Sequence, residues 1–102
     1  MIVAYSFVPV HDKQAGVEFA AAMATRSRTV ERFPGFIRFE FRRELRRDSR
    51  FVIATWWETR ADLKRYLSSP EHQATHANLS DGARTGLGPA RVDIHEVLDV
   101  SG

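Results

Sequence analysis

The sequence predicts an α+β protein in which two helices pack on one face of an antiparallel sheet. Three observations predict it: four apolar or alternating segments, two segments with helical spacing and end signals, and their order along the chain, β-α-β-β-α-β. That order is the split βαβ, or ferredoxin-like, arrangement. The 102 residues suit one domain, so residues 1–102 are expected to fold as a single unit.

The N-terminal third supplies the first strand and the first helix. Ile2 to Val8 is apolar on both faces, which is typical of a strand buried on both sides, and a polar run follows Pro9. From Ala15 to about Arg32, apolar side chains recur near one face, which predicts a helix. Pro34-Gly35 ends this helix, because proline cannot continue it and glycine accepts the turn geometry.

The other three strands are predicted from alternation and from apolar runs. Phe36 to Leu45 alternates, and Phe51 to Trp57 follows after a short polar turn, so the two are expected to form a hairpin. Arg91 to Val100 alternates again and predicts the last strand. The apolar face of the second strand should carry Ile37, Phe39 and Phe41.

The second helix has start and stop signals of its own. Thr59 is the expected N-cap, with Asp62 three residues later in a variant of the capping box, and the helix should run to about Leu67. Ser69 then caps a second helical piece that begins with a proline. This piece carries two histidines four residues apart, His72 and His76.

Composition excludes several kinds of chemistry and location. The chain has no cysteine, which rules out disulfides, thiolate metal sites and cysteine nucleophiles, and which fits a cytoplasmic location. The N-terminal apolar run lacks a basic segment before it and is too short for a membrane span. Acidic residues interleave with the arginines around residues 42–50, so a solvated hairpin end is expected there and no nucleic-acid partner.

The aromatic content predicts a partner copy. Seven Phe, two Trp and two Tyr are a heavy load for one small core, so part of it should line a pocket or an interface. With both helices on one face, the other face of the sheet would be bare and yet partly apolar. A second copy is the simplest cover, which predicts a homodimer with twofold symmetry.

The residues alone leave the chemistry open. Trp56 and Trp57 are adjacent on a strand, so they point to opposite faces, and either core packing or a pocket wall for a flat ligand explains them. Tyr5 and Tyr66 could donate hydrogen bonds to a phenolate or a carboxylate, or simply fill space at the surface. No nucleophile–base pair, phosphate loop, carboxylate dyad or nucleotide-cofactor motif is present.

Several motifs together resemble the antibiotic biosynthesis monooxygenase superfamily. They are the Arg32-Phe33-Pro34-Gly35-Phe36 turn, the Trp57-Glu58 strand end, the Leu67-Ser68-Ser69-Pro70-Glu71-His72 break, and His76. The resemblance implies a dimeric ferredoxin-like barrel. In the heme-degrading branch of that superfamily, a histidine at the position of His76 ligates the iron, whereas Tyr66 and Ala4 stand where that branch has a tryptophan and an asparagine.

The resemblance implies a small monooxygenase that acts on a bulky aromatic substrate in an apolar pocket, without flavin or nicotinamide. Heme degradation is slightly favoured over quinol or anthrone oxidation, with heme as both substrate and cofactor and with no other cofactor or metal implied. Tyr66 and Trp57 are the expected catalytic residues and His76 the expected heme ligand. The expected substrate pocket comprises Tyr5, Phe7 and Trp56. The alternative is a non-catalytic dimer that binds a small hydrophobic ligand.

Overall fold

The computed structural model describes residues 1–26, 28–46, 50–72 and 86–102. Its strands are β1 (Ile2–Pro9), β2 (Phe36–Arg43), β3 (Arg50–Trp57) and β4 (Arg91–Glu96). Helix α1 spans Lys13–Ala24, a 3-10 helix follows at Thr29–Arg32, and helix α2 spans Arg60–Leu67. The sheet order is β2-β3-β1-β4 and every neighbouring pair is antiparallel, which confirms the predicted ferredoxin-like α+β fold.

Both helices pack on the same face of the sheet, called here the helix face. Pairing places Ala4 opposite Thr55 and Tyr5 opposite Ala54, so even-numbered residues of β1 share a face with odd-numbered residues of β3. Side chains of α1 and α2 pack against this set, which includes Ala4 and Trp57. The opposite side of the sheet, called the outer face, is covered by no helix in the part of the chain that the structure describes.

The first helix ends earlier than the periodicity predicted. It stops at Ala24, and Thr25 caps it through its backbone N–H and its hydroxyl, both directed at the carbonyl of Ala21. The chain then re-forms a turn as the 3-10 helix, where Val30 is buried. Thr25 and Val30 are β-branched residues that weaken helix propensity, which explains why one predicted helix becomes two pieces.

A β-bulge interrupts the expected alternation of β2. Phe36 pairs with Trp57 and Arg38 with Trp56, so Ile37 is an extra residue with no partner position. Ile37 is therefore 45% exposed and lines a shallow depression of the outer face, whereas Phe39 keeps its predicted place against the core. The predicted grouping of Ile37 with Phe39 was wrong for this reason.

The caps predicted for the second helical region are confirmed. The Thr59 hydroxyl accepts a hydrogen bond from the backbone N–H of Asp62 at 3.2 Å and donates one to the Asp62 carboxylate at 2.7 Å. Ser69 accepts from the backbone N–H of His72, and helical structure resumes at Pro70. Among the described helices none is long and apolar enough to cross a membrane.

Candidate functional site

The core beneath the helices is divided into two clusters. The first contains Ala4, Trp57 and Leu63, with Phe39 and Tyr66 packed against it; it lies under α2. The second contains Val8, Phe19 and Phe51, with Met23, Phe41 and Ile53 packed against it; it lies under α1. We call the boundary between the two clusters on the helix face the seam.

Two of the predicted residues form one wall of the seam. Trp57 is fully buried at the end of β3, and the ring of Tyr66 from α2 stacks on it with 5.3 Å between centroids and an interplanar angle of 27°. Phe36 meets the edge of Trp57, and Phe33 meets the edge of Tyr66. The result is an aromatic cluster in which Tyr66 is partly exposed and Trp57 lies behind it.

The indole N–H of Trp57 is a hydrogen-bond donor that the described part of the fold leaves without an acceptor. Its Nε1 is buried, and it has no hydrogen-bond acceptor within the described structure. Buried donors nearly always have a partner, and an unmade hydrogen bond destabilises the fold by about 1–3 kcal/mol. A ligand atom with a lone pair would satisfy this donor.

Tyr66 is the central residue of the aromatic wall. Burial raises the pKa of its phenol above the usual value of 10.0, with an opposing contribution from the nearby charge of Arg26. Tyr66 is therefore protonated at neutral pH and can donate a hydrogen bond. The ring of His72 approaches Tyr66 edge-on, with 5.0 Å between centroids, and the Ser69 cap fixes the backbone of His72.

Arg26 is a candidate that the sequence analysis missed. Its guanidinium lies 3.9 Å from the ring centroid of Phe39, and Nη1 donates to the carbonyl of Met23 at 3.1 Å. Its Nε is buried and has no partner within the described residues, and burial lowers the pKa of this guanidinium. A half-buried cation with a spare donor at the edge of the seam can bind an anionic group of a ligand. The available signal was spacing, because Phe19, Met23, Arg26 and Val30 share one predicted helical stripe and only Arg26 is charged.

The structure places Tyr5, Phe7 and Trp56 on the outer face, away from Trp57 and Tyr66. Arginine side chains cover their rings: Arg50 and Arg91 lie over Phe7, and other arginines lie over Tyr5 and Trp56. The six residues predicted for the site therefore do not lie together. Two meet at the seam, three lie across the sheet from it, and His76 lies outside the described residues.

Acidic side chains hold these outer-face arginines in place. Glu40 accepts from Nε of Arg38 at 2.8 Å and from Nε of Arg42 at 2.7 Å, and Arg50 pairs with Glu44. The hydrogen bond from Arg42 is the main reason that the pKa of Glu40 is lowered. Within the described ranges, no group of three or more His, Cys, Asp or Glu could hold a metal ion.

The structure defines a small ferredoxin-like α+β protein with an aromatic cluster under its second helix, and comparison with known proteins gives its family. Residues 1–78 match the family model described as antibiotic biosynthesis monooxygenase. Because this match spans most of the chain, the protein belongs to the antibiotic biosynthesis monooxygenase family.

The proteins that this chain is similar to include a heme oxygenase and a cofactor-independent oxygenase. A mycobilin-producing heme oxygenase of Mycobacterium tuberculosis is 28% identical over 88 residues, which cover 86% of this chain and 82% of the relative. The solved structure of MhuD, a heme-degrader from the same organism with two hemes in its active site, superposes with a TM-score of 0.81 at 24% identity over all of both chains. SnoaB, a cofactor-independent oxygenase from Streptomyces nogalater, gives a TM-score of 0.74 at 21% identity, covering 97% of this chain and 94% of its own.

Proposed function

We propose that this protein is a small monooxygenase that oxidises a bulky aromatic substrate bound in the seam, without flavin or nicotinamide. The observation that carries the proposal is the presence of two buried N–H donors without partners among the described residues, Nε1 of Trp57 and Nε of Arg26, both near Tyr66. In a member of this family, a flat aromatic ligand with acceptor or acidic groups would satisfy both donors.

The residues of the seam have separate roles in this proposal. Tyr66 packs against the substrate ring and excludes water from it, Trp57 supports the Tyr66 ring from behind, and Tyr66 can also donate its phenolic proton in a hydrogen bond. Arg26 attracts an acidic substituent. The reducing electrons come from the substrate or from an added reductant, because the protein side chains of the seam include no redox-active cysteine.

Heme is the substrate we favour, ahead of a quinol or an anthrone. A porphyrin is a flat macrocycle with two carboxylates, and the seam offers an aromatic wall beside a cation. The similarity to the mycobilin-producing heme oxygenase supports this choice. His76 as the iron ligand stays a prediction from the sequence.

The first experiment is a hemin titration of the purified protein beside the His76→Ala variant, followed in the visible spectrum. We expect a sharp, saturable Soret band in the wild type that is lost or displaced in the variant. Adding a reductant in air should then consume O₂ and bleach the band. A spectrum equal to that of free hemin would end the heme proposal, and identical spectra for both proteins would remove the ligand role of His76. Substrate-dependent O₂ uptake with an anthrone or a naphthoquinol would then be measured.

One observation favours the alternative, a non-catalytic module that binds a hydrophobic ligand. Ala4 lies on the helix face next to the seam, where the heme-degrading branch carries an asparagine. Such a module would bind hemin or a quinone saturably and yet show no O₂ uptake above the rate without protein. Titration and O₂ uptake together therefore separate the two functions.

We further propose that the outer face forms the interface of a homodimer, with Tyr5, Phe7 and Trp56 as contact residues. The large apolar residues exposed on and beside this face are consistent with burial by a second copy. Light scattering after size exclusion should show a dimer that Trp56→Glu dissociates. Val17→Glu is the matched control, because Val17 is exposed on α1, away from the outer face, and should leave the dimer intact. A monomeric wild type would contradict this interface. The cytoplasmic location likewise stays a prediction.

A further inference from the structure

Two hydroxyl side chains interrupt the apolar helix face at the seam. On β1, Ala4 belongs to the cluster under α2 and Val8 to the cluster under α1, and Ser6 lies between them. On β3, Trp57 and Ile53 belong to the two clusters in the same way, and Thr55 lies between them. Both strands thus place a hydroxyl where the division between the clusters crosses them.

The two hydroxyls are close enough to contact one ligand. Ser6 pairs with Ile53 and Thr55 pairs with Ala4, so Ser6 and Thr55 are diagonal neighbours on adjacent strands. Diagonal neighbours have Cα atoms roughly 7–8 Å apart and can interact with the same group. They form a polar spot on the sheet between the two clusters, of which the first includes Tyr66 and the second includes Met23.

Thr55 contributes a hydroxyl that makes no hydrogen bond within the described fold. Thr55 as a whole is 8% exposed and Ser6 is half-buried, and no hydrogen bond of either hydroxyl occurs among the residues described. In that part of the chain the buried side-chain nitrogen and oxygen atoms without a partner are Nε of Arg26 and Nε1 of Trp57, so the Thr55 hydroxyl still reaches solvent. A threonine whose hydroxyl has no internal partner stabilises the fold no more than a valine of the same shape, whereas its hydroxyl is available to a ligand.

We infer that Ser6 and Thr55 form a hydroxyl pair that binds an oxygen atom carried by the aromatic ligand. This inference rests on the proposed function and deepens it, because it adds the polar contact that sets the position of the ring over the sheet. A hydroxyl both donates and accepts, and it rotates to suit its partner. The pair can therefore accept from the O–H of a quinol, and it can donate to the C=O of a quinone or to an oxygen of one of the two carboxylates of heme.

The test compares two probes that differ only in oxygen. Equilibrium dialysis measures the binding of 1,4-naphthoquinone and of naphthalene to the wild type, Thr55→Val, Thr55→Ser and Ser6→Ala. The chain has no cysteine, so thiol addition to the quinone does not interfere. We expect Thr55→Val to weaken quinone binding about tenfold, as one lost hydrogen bond does, and to leave naphthalene binding unchanged. Ser6→Ala should act in the same direction, and Thr55→Ser should retain the wild-type preference.

Thermal unfolding of the same variants separates binding from structure. A positioning role predicts that Thr55→Val unfolds at the same or a higher temperature than the wild type while its preference for the quinone falls. A lower unfolding temperature together with equal losses for both probes would mean a structural role and would overturn the inference.

The outcomes also separate this inference from the proposed function. Binding of both probes with the same preference in the wild type and in Thr55→Val overturns the hydroxyl pair alone and leaves the seam as the binding site. Failure of the wild type to bind either probe or hemin overturns both. A preference for the quinone that is lost in Thr55→Val and kept in Thr55→Ser supports both.

Discussion

A substitution of Arg26 tests whether its charge binds the ligand, because the protein should stay folded without that charge. In the Arg26→Met variant, the aliphatic part of the side chain can still pack on Phe39, but the guanidinium is gone. The variant loses a cation–π contact at 3.9 Å, which contributes about 1 kcal/mol, and a hydrogen bond to a carbonyl, which contributes about 1.5–3 kcal/mol. It also removes a buried Nε without a partner, whose desolvation costs about 1–3 kcal/mol.

The two losses exceed the gain by about 1 kcal/mol at the middle of these ranges, so the free energy of unfolding should fall by about 1 kcal/mol. Ligand binding should change more, because an acidic ligand loses its cation. A contact of about 2 kcal/mol between Arg26 and a carboxylate corresponds to a roughly 30-fold weaker affinity. The assay is a hemin titration, repeated with the dimethyl ester of hemin, whose affinity should not depend on Arg26.

Arg28→Met is the matched control, since it removes the same charge from a nearby position. Arg28 is exposed and pairs with Glu31 at the surface, away from the seam contacts of Arg26. Its loss should leave hemin affinity within about twofold, because exposed ion pairs contribute little. Equal losses in both variants would point to net charge alone, and an unchanged affinity in Arg26→Met would refute the proposed contact.

Three further predictions concern the site, the fold and the outer face. Ala4→Asn should raise reductant-dependent heme consumption if the protein degrades heme, and should leave hemin affinity within a few-fold. Gly35→Ala should lower the free energy of unfolding by more than about 1 kcal/mol in denaturant, because Gly35 has φ of 81° and an added Cβ would collide with a carboxylate of α2. The hydrogen bond from Arg42 lowers the pKa of Glu40 and should stabilise the fold by about 0.5 kcal/mol at neutral pH. This stabilisation should be lost as pH falls through the lowered pKa. The free energies of unfolding of Glu40→Gln and of the wild type should therefore differ at neutral pH and become equal only in acid.

The features predicted correctly from the sequence are those set by local chemistry. The caps at Thr59 and Ser69 involve groups within a few residues of each other, so their sequence signature is sufficient. The order of the elements and the antiparallel sheet follow from the spacing of apolar residues. Trp56 and Trp57 point to opposite faces because strands alternate.

The features missed depend on contacts between distant parts of the chain. The bulge at Ile37 is a mismatch in pairing between β2 and β3, which one strand alone does not reveal. Arg26 was visible as one charge on an apolar helical stripe, but its contact with Phe39 and its proximity to Tyr66 require the fold. Ser6 was visible in the sequence as one polar residue in an apolar strand, but its place between two clusters requires the fold.

The central claim is that the aromatic ligand binds on the helix face at the seam and not on the outer face. Hemin titrations of Ser6→Phe and Trp56→Ala test it most directly, with circular dichroism to confirm that both variants are folded. The phenyl ring of Ser6→Phe would occupy the floor of the seam, whereas Trp56→Ala removes a large ring from the other side of the sheet. The account predicts that Ser6→Phe loses the saturable Soret band and that Trp56→Ala keeps it. Retention in Ser6→Phe with loss in Trp56→Ala would contradict it.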